Sequence, residues 1–163
     1  TNNLVDKNLS IRDAKVIELN DGSCIYNFYM DMPKGDAYDI EIKVESLIEN
    51  LSLRLEKKQI MKKKKFKLSR RLRSFTASTK LSFLEDHIHN RTVLEVVSLD
   101  RPGLLVDISE VLRRNNIWIE SAKIATIGER AEDVFYLRDE YQDAISLTTI
   151  NKLELELIES LDN

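Results

Sequence analysis

The chain has 163 residues, 42% hydrophobic and 33% charged, with a formal net charge of −3. That length suffices for one ordinary domain or two small ones, and the composition is that of a globule with a heavily charged surface. No apolar run approaches the roughly 20 residues of a membrane-spanning helix, and the opening "TNNLVDKNLS" lacks the basic and apolar regions of a secretory leader.

Residues 9–19, "LSIRDAKVIEL", read as a strand, and "NDGS" at 20–23 is a hairpin turn in which Asp-Gly supplies positive φ. "CIYNFYMDM" at 24–32 is the returning strand. The single cysteine, Cys24, closes no internal disulfide, which suits a reducing cytoplasm, and it reads as a small buried hydrophobe. "PKGD" at 33–36 breaks the strand. Ile40, Val44, Leu47, Ile48, Leu51 and Leu55 then form one helical stripe.

From residue 54 to residue 80 the chain carries 12 of its 25 basic residues and one acid, Glu56. The segment is therefore +11 and the remainder −14, the pattern of a basic connector between two acidic modules. A solvated linker is the default reading of such a run.

"TKLSF" at 79–83 is strand-like, and "TVLEVVSL" at 92–99 is a strong strand. The loop "DRPG" follows. Leu105, Ile108, Val111 and Leu112 give the face of a helix that Asn115-Asn116 ends. "IWIESAKIATI" at 117–127 is a strand, "GERAED" a turn, and "VFYL" at 134–137 a further strand. Ile150, Leu153, Leu157, Ile158 and Leu161 stripe a last helix. The order β-α-β-β-α is four-fifths of a ferredoxin-like unit. Its fourth strand is absent, supplied by "TKLSF", or supplied by another chain.

An internal repeat links the halves. "LSIRDAKV" (9–16) matches "IWIESAKI" (117–124): Ile11 meets Ile119, Ala14 meets Ala122 and Lys15 meets Lys123, all at a shift of 108. After a one-residue gap, Phe28-Tyr29 meets Phe135-Tyr136. The chain thus reads as two copies of one small α+β fold. The first is truncated at its N-terminus, lacking its opening strand and most of its first helix. The expected boundaries are a partial copy at 1–56, a basic linker at 57–78, a strand and connector at 79–91, and a second copy at 92–163.

The loop "DRPG" admits two readings. It opens a helix, whose N-terminus presents free N–H groups and a positive dipole end suited to an anion. Pro102 pre-sets φ at the helix start, Gly103 lets a ligand approach the backbone, and Asp100 accepts from an ammonium group, so a small zwitterion fits. In the plainer reading Asp100 caps the helix, Pro102 positions it and Gly103 packs closely.

The stretch "TVLEVVSLDRPGLLVDISEVLRRNNIWIESAKIATIGERAEDVFYL" resembles the ACT domains, whose loop has the form D-x-P-G. In "AKIATIGERAEDVFYL" and the approach "RRLRSFTASTKLSF" it is similar to the last ACT domain of the bacterial enzymes that add and remove uridylyl groups on the nitrogen-regulatory P-II protein. The resemblance is strong over about 68–140 and weaker over 1–60. It implies two ferredoxin-like βαββαβ ACT modules that sense glutamine. They would act on catalytic domains elsewhere in a larger cytoplasmic enzyme that uses Mg²⁺. Asp100, Arg101, Pro102, Gly103, Leu104 and Leu105 would line the amino-acid loop, Asn116 and Ile117 its opposite wall, and Ala122 and Ile124 would belong to the core.

The chain shows none of the enzyme's own chemistry. No Gly-Ser loop precedes paired aspartates that would hold Mg²⁺ on a phosphate. Its only histidines, His87 and His89, fall short of a metal-dependent phosphohydrolase centre and read as a solvated loop. The fragment is therefore expected to have neither catalytic residues nor a cofactor of its own. Two rival readings stand beside sensing. One is a ligand-free dimerisation module, which would include a homodimer. The other is an RNA-binding ferredoxin-like domain; the acidic modules and the lack of an aromatic RNA-binding run weigh against nucleic acid.

Overall fold

The computed structural model describes residues 10–18, 24–31, 37–56 and 78–162. The predicted turns at 20–23 and 33–36 and the basic linker through residue 77 lie outside the described residues, as does the Cys24 side chain. The elements are β1 (Ser10–Glu18), β2 (Cys24–Asp31), α1 (Ala37–Glu56), β3 (Lys80–Asp86), β4 (Arg91–Leu99), α2 (Leu104–Arg114), β5 (Trp118–Lys123), β6 (Thr126–Ile127), β7 (Arg130–Arg138) and α3 (Leu147–Asp162).

The strands form one sheet in the order β2-β1-β5-β7-β4-β3, with β6 also on β7. Every pairing is antiparallel. In β4 and β7 every second residue is buried and those between are half-buried or exposed, the signature of a sheet covered on one face. Thr92, Leu94, Val96 and Ser98 of β4 and Ala131, Asp133, Phe135 and Leu137 of β7 face inward. Leu153 and Leu157 of α3 and Ile108, Val111 and Leu112 of α2 close over them, each fully buried. Ile158, expected in the α3 stripe, is 37% exposed and lies at its margin. No helix among the described residues is long and apolar enough to cross a membrane.

The missing fourth strand is "TKLSF". As β3 it lies antiparallel on the free edge of β4, with Phe83 opposite Leu94, so the edge strand precedes the first strand of its own module. The start of β3 is tied down twice, both times through Thr79. The Thr79 N–H donates to Asp162 Oδ1 at 3.1 Å, and the buried hydroxyls of Thr79 and Ser98 meet at 3.0 Å. The predicted "GERAED" turn is shorter than expected: only residues 128–129 turn, and β7 begins at Arg130 because β4 and β6 supply main-chain partners from there on. The predicted strand 117–127 is divided into β5 and the short β6.

On the opposite face one ionic network spans four strands. Arg91 pairs with Asp86 and Glu120, both at 2.8 Å, and lies 4.3 Å above the Tyr136 ring. Arg138 holds the other Glu120 oxygen at 2.9 Å.

β1 joins β5 edge to edge, with Asp13 opposite Lys123, Ala14 opposite Ala122 and Lys15 opposite Ser121. The repeat aligns Ala14 with Ala122, so the seam is symmetric about equivalent residues. Each strand also bulges at the equivalent place, between Ile11 and Asp13 in β1 and between Ile119 and Ser121 in β5. Beyond the seam little is buried: Ile11 and Leu47 form a small cluster with Met30, Leu105 and Ile124. Of the α1 stripe, Leu47 is buried and Val44 and Ile48 are exposed, Ile48 to 58%, while the Leu51 and Leu55 side chains lie outside the described residues.

Candidate functional site

The loop after β4 is built from its own residues first. The Asp100 N–H donates to the Glu129 carbonyl at 2.9 Å, fixing the end of β4 beside the β6–β7 turn. The Leu104 N–H then donates to the Arg101 carbonyl at 3.1 Å, closing a four-residue turn. Pro102 stands second in that turn and Gly103 third, with φ 89° and ψ −2°. This is a type II turn, which needs positive φ at its third position and therefore glycine. The Gly103 carbonyl accepts the first helical hydrogen bond, from the Asp107 N–H at 2.9 Å, so α2 starts with no side-chain cap.

Arg101 points back into the protein. Its guanidinium lies 2.7 Å from Asp107 Oδ2 and donates to the Ser160 carbonyl at 3.3 Å, in the last turn of α3. Asp107 is buried, and the Arg101 side chain is 13% exposed. An acid in the first turn of α2 and a cation at the C-terminal turn of α3 each sit at the favourable end of a helix dipole. Leu104 is core, Gly103 is buried, and Pro102 is exposed at the surface.

The far end of α2 is equally well defined. The Asn116 N–H donates to Arg113 O at 3.2 Å and the Ile117 N–H to Leu112 O at 2.9 Å, a paired C-terminal cap. Asn116 takes the left-handed conformation this cap requires, with φ 56°. The cap delivers Ile117 to the start of β5.

Between these ends runs a groove of about 730 Å³. Leu105, Ser109 and Arg113 of α2 form one wall at a spacing of one helical turn. Ile11, Ala14 and Val16 of β1 and Tyr26 and Phe28 of β2 form much of the floor, with Ala122 and Ile124 where the two halves meet. Of the residues the sequence singled out, Leu105, Asn116 and Ile117 line this groove, whereas Asp100, Arg101, Pro102, Gly103 and Leu104 do not.

Sequence reasoning missed Asp133. It is 1% exposed; its Oδ1 accepts the Ala125 N–H at 3.3 Å, and its Oδ2 has no partner among the described residues. Burial, and then the neighbouring Asp100 carboxylate, push its pKa up to about 7, while the Ala125 hydrogen bond opposes them. The signal was present in the alternation Ala131, Asp133, Phe135, Leu137, which places an acid on a covered face. His89 Nδ1 lies 2.9 Å from Asp86 Oδ2, and His87 Nδ1 3.2 Å from Glu85. Among the described residues no three metal-ligating side chains gather.

Comparison with known proteins agrees with this architecture. Residues 92–155 match the family model of the ACT domain. The chain is 33% identical over 159 residues to the bifunctional uridylyltransferase/uridylyl-removing enzyme of Idiomarina loihiensis, covering 98% of this chain and 18% of that protein. It is 35% identical over 157 residues to the enzyme of the same description from Vibrio parahaemolyticus, with 96% and 18% covered. For the Haemophilus influenzae Rd enzyme the identity is 29% over 155 residues, with 95% and 18% covered. The chain thus spans about 18% of the length of these relatives. No solved structure matches it.

Proposed function

The chain belongs to the ACT domain family through residues 92–155, and on that premise we propose that it is a regulatory, glutamine-sensing module. It controls the uridylylation and deuridylylation of the P-II protein by catalytic domains elsewhere in a larger cytoplasmic polypeptide. The observation that carries this reading is the groove: α2 walls it from one half of the chain and β1 and β2 floor it from the other. Leu105, in the first turn of α2, lines this groove and packs with Ile11 and Ile124, so a ligand at the head of α2 would lie one residue from the groove and be placed to alter how the halves pack. A carboxylate would be received at the N-terminus of α2 and an ammonium group at Asp100. In this scheme Arg101 and Asp107 hold the turn from behind. Mg²⁺ would be held by the catalytic domains, outside this chain.

Binding shifts the two catalytic activities only by its differential affinity for the two arrangements of the module. A ligand-free pairing module is the second reading, favoured by the symmetric seam at Ala14 and Ala122.

Calorimetric titration with glutamine, using glutamate and serine as controls, separates the two. We expect a glutamine-selective heat that Asp100→Asn weakens at least tenfold. Asp100→Asn is the better probe because its main-chain bond to Glu129 is retained. Gly103→Val strains a φ of 89° and so reports on folding as well as on binding. Equal or absent heats for all three amino acids, in this chain and in the longer enzyme, would overturn sensing and leave pairing.

A further inference from the structure

The two helices over the core of the second half are charged in opposite ways. α2 follows the helix dipole: Asp107 stands in its first turn, Arg113 and Arg114 in its last. α3 runs against it. Its first turn holds no acid and its last turn no base. Leu147–Asp162 carries four acids, Glu154, Glu156, Glu159 and Asp162, and one base, Lys152, a net −3. Lys152 lies 3.7 Å from Glu156. At the C-terminal end, Arg101 reaches only the Ser160 carbonyl, from the core side, and Asp162 accepts from the neutral Thr79 N–H.

The apolar residues of α3 break a second rule. A helix laid on one sheet needs one apolar stripe. Leu153, Leu157 and Leu161 supply it, all buried. Leu147 and Leu155 are nonetheless 73% and 72% exposed, and Ile158 is exposed with them. At 3.6 residues per turn these three fall within about 80° of one another, on a different side of the helix, along about 16 Å of its length. Glu154 and Glu159 fall at the two margins of this outer stripe. A helix that departs from both its dipole and its single stripe marks a functional surface.

Charge decides what fits there. An apolar stripe with acidic margins complements an apolar stripe with basic margins. A second copy would bring −3 against −3 and acid against acid, and a nucleic acid or an anionic membrane meets the same repulsion. We propose that the outer face of α3 is a docking surface for a basic amphipathic helix of a partner protein. Apolar residues of that helix pack against Leu147, Leu155 and Ile158. Its lysines or arginines face Glu154 and Glu159 and bring to the last turn of α3 the cations its own sequence lacks. Neither the groove nor the turn at the head of α2 enters this proposal, so it fails separately from glutamine sensing.

Fluorescence anisotropy on the 163-residue chain tests it. The probe is a labelled leucine–lysine peptide of about four helical turns, in about 0.15 M salt, with a leucine–glutamate peptide of the same spacing as control. We expect saturable one-to-one binding of the basic peptide and none of the acidic one. Leu155→Ser and Glu154→Lys should each weaken it at least fivefold. Both positions are exposed, so the denaturant midpoint should not move. Glu95→Lys, the same charge change at an exposed position on the other face of the sheet, should leave binding unaltered. No binding, equal weakening by Glu95→Lys and Glu154→Lys, or no effect of Leu155→Ser would overturn the proposal. So would a dimer in sedimentation that Leu155→Ser dissolves, since a second copy would then be the occupant. A carboxyl–amine cross-link, in the chain alone, from Glu154 to a lysine of residues 57–67 would overturn it too, by making the chain's own basic run the occupant.

Discussion

Phe28 and Phe135 hold the same position in the two halves: each lies opposite the equivalent alanine, Ala14 or Ala122, in the equivalent antiparallel pair. Yet Phe135 is 4% exposed and Phe28 47%. Local sequence and the register against the alanine strand are alike, so neither causes the difference. Cover does. Phe135 has β4 beside its strand and α2 and α3 packed over its face, whereas Phe28 floors a groove. A strand pair forms from local pattern and ladder hydrogen bonds; a core forms only when further elements exclude water from one face.

The sharpest way to break this comparison is to truncate both rings. Phe135→Ala should cost about 4 kcal/mol and Phe28→Ala less than about 1 kcal/mol, read as the shift in a denaturant midpoint at constant slope. Equal costs would mean that Phe28 is covered in solution.

A smaller effect sharpens what holds the second half together. Arg101→Ala removes the cation that ties Asp107 of α2 to the last turn of α3. Because Asp107 would be left buried without its cation partner, the loss should cost about 3 kcal/mol, measured in the same unfolding experiment. A neutral result would move Arg101 from support of the turn to its open side.

The smallest effect depends on pH and belongs to Asp133. Its carboxyl titrates near 3.8 when unfolded and about 7 when folded. Between those values the folded state holds the extra proton, so this group lowers stability as pH rises from about 4 to about 7, and its penalty then stays level. Asp133→Asn removes that slope. We expect the variant to gain about 2 kcal/mol relative to the natural chain at pH 8 and little at pH 5, since its new amide hydrogens need partners in a buried place. Parallel stability curves from pH 5 to pH 8 would show that Asp133 is ionised throughout. Asp86 acts in the opposite sense: Arg91, chiefly, and His89 hold its pKa down to about 2, so its contribution is present at neutral pH and lost in strong acid.

Much of this was legible because it is local. The stripe of α2 and its end at Asn115-Asn116 follow from period 3.6 and from the left-handed preference of asparagine. The alternation of β4 and β7 follows from period 2. The shift of 108 residues between "LSIRDAKV" and "IWIESAKI" foretold a repeat, and the bulges at equivalent sites are its structural trace. The Pro-Gly pair specified a tight turn. What it did not reveal is that Arg101 would turn inward, because its partners Asp107 and Ser160 lie 6 and 59 residues away and meet only when α2 and α3 pack together.

By itself, then, the sequence determined most of the secondary elements, the α+β class and the tight turn at the head of α2, consequences of short-range sterics and hydrophobic period, and its motifs carried the resemblance to ACT domains. The tertiary structure alone decided that β3 closes the sheet beside β4, that the halves join at Ala14 and Ala122, and that a groove passes between them. It also decided that Asp133 is buried with one oxygen unpartnered among the described residues. Each of those depends on which surfaces meet after the elements have formed, and a one-dimensional pattern carries no record of distance between residues far apart in the chain.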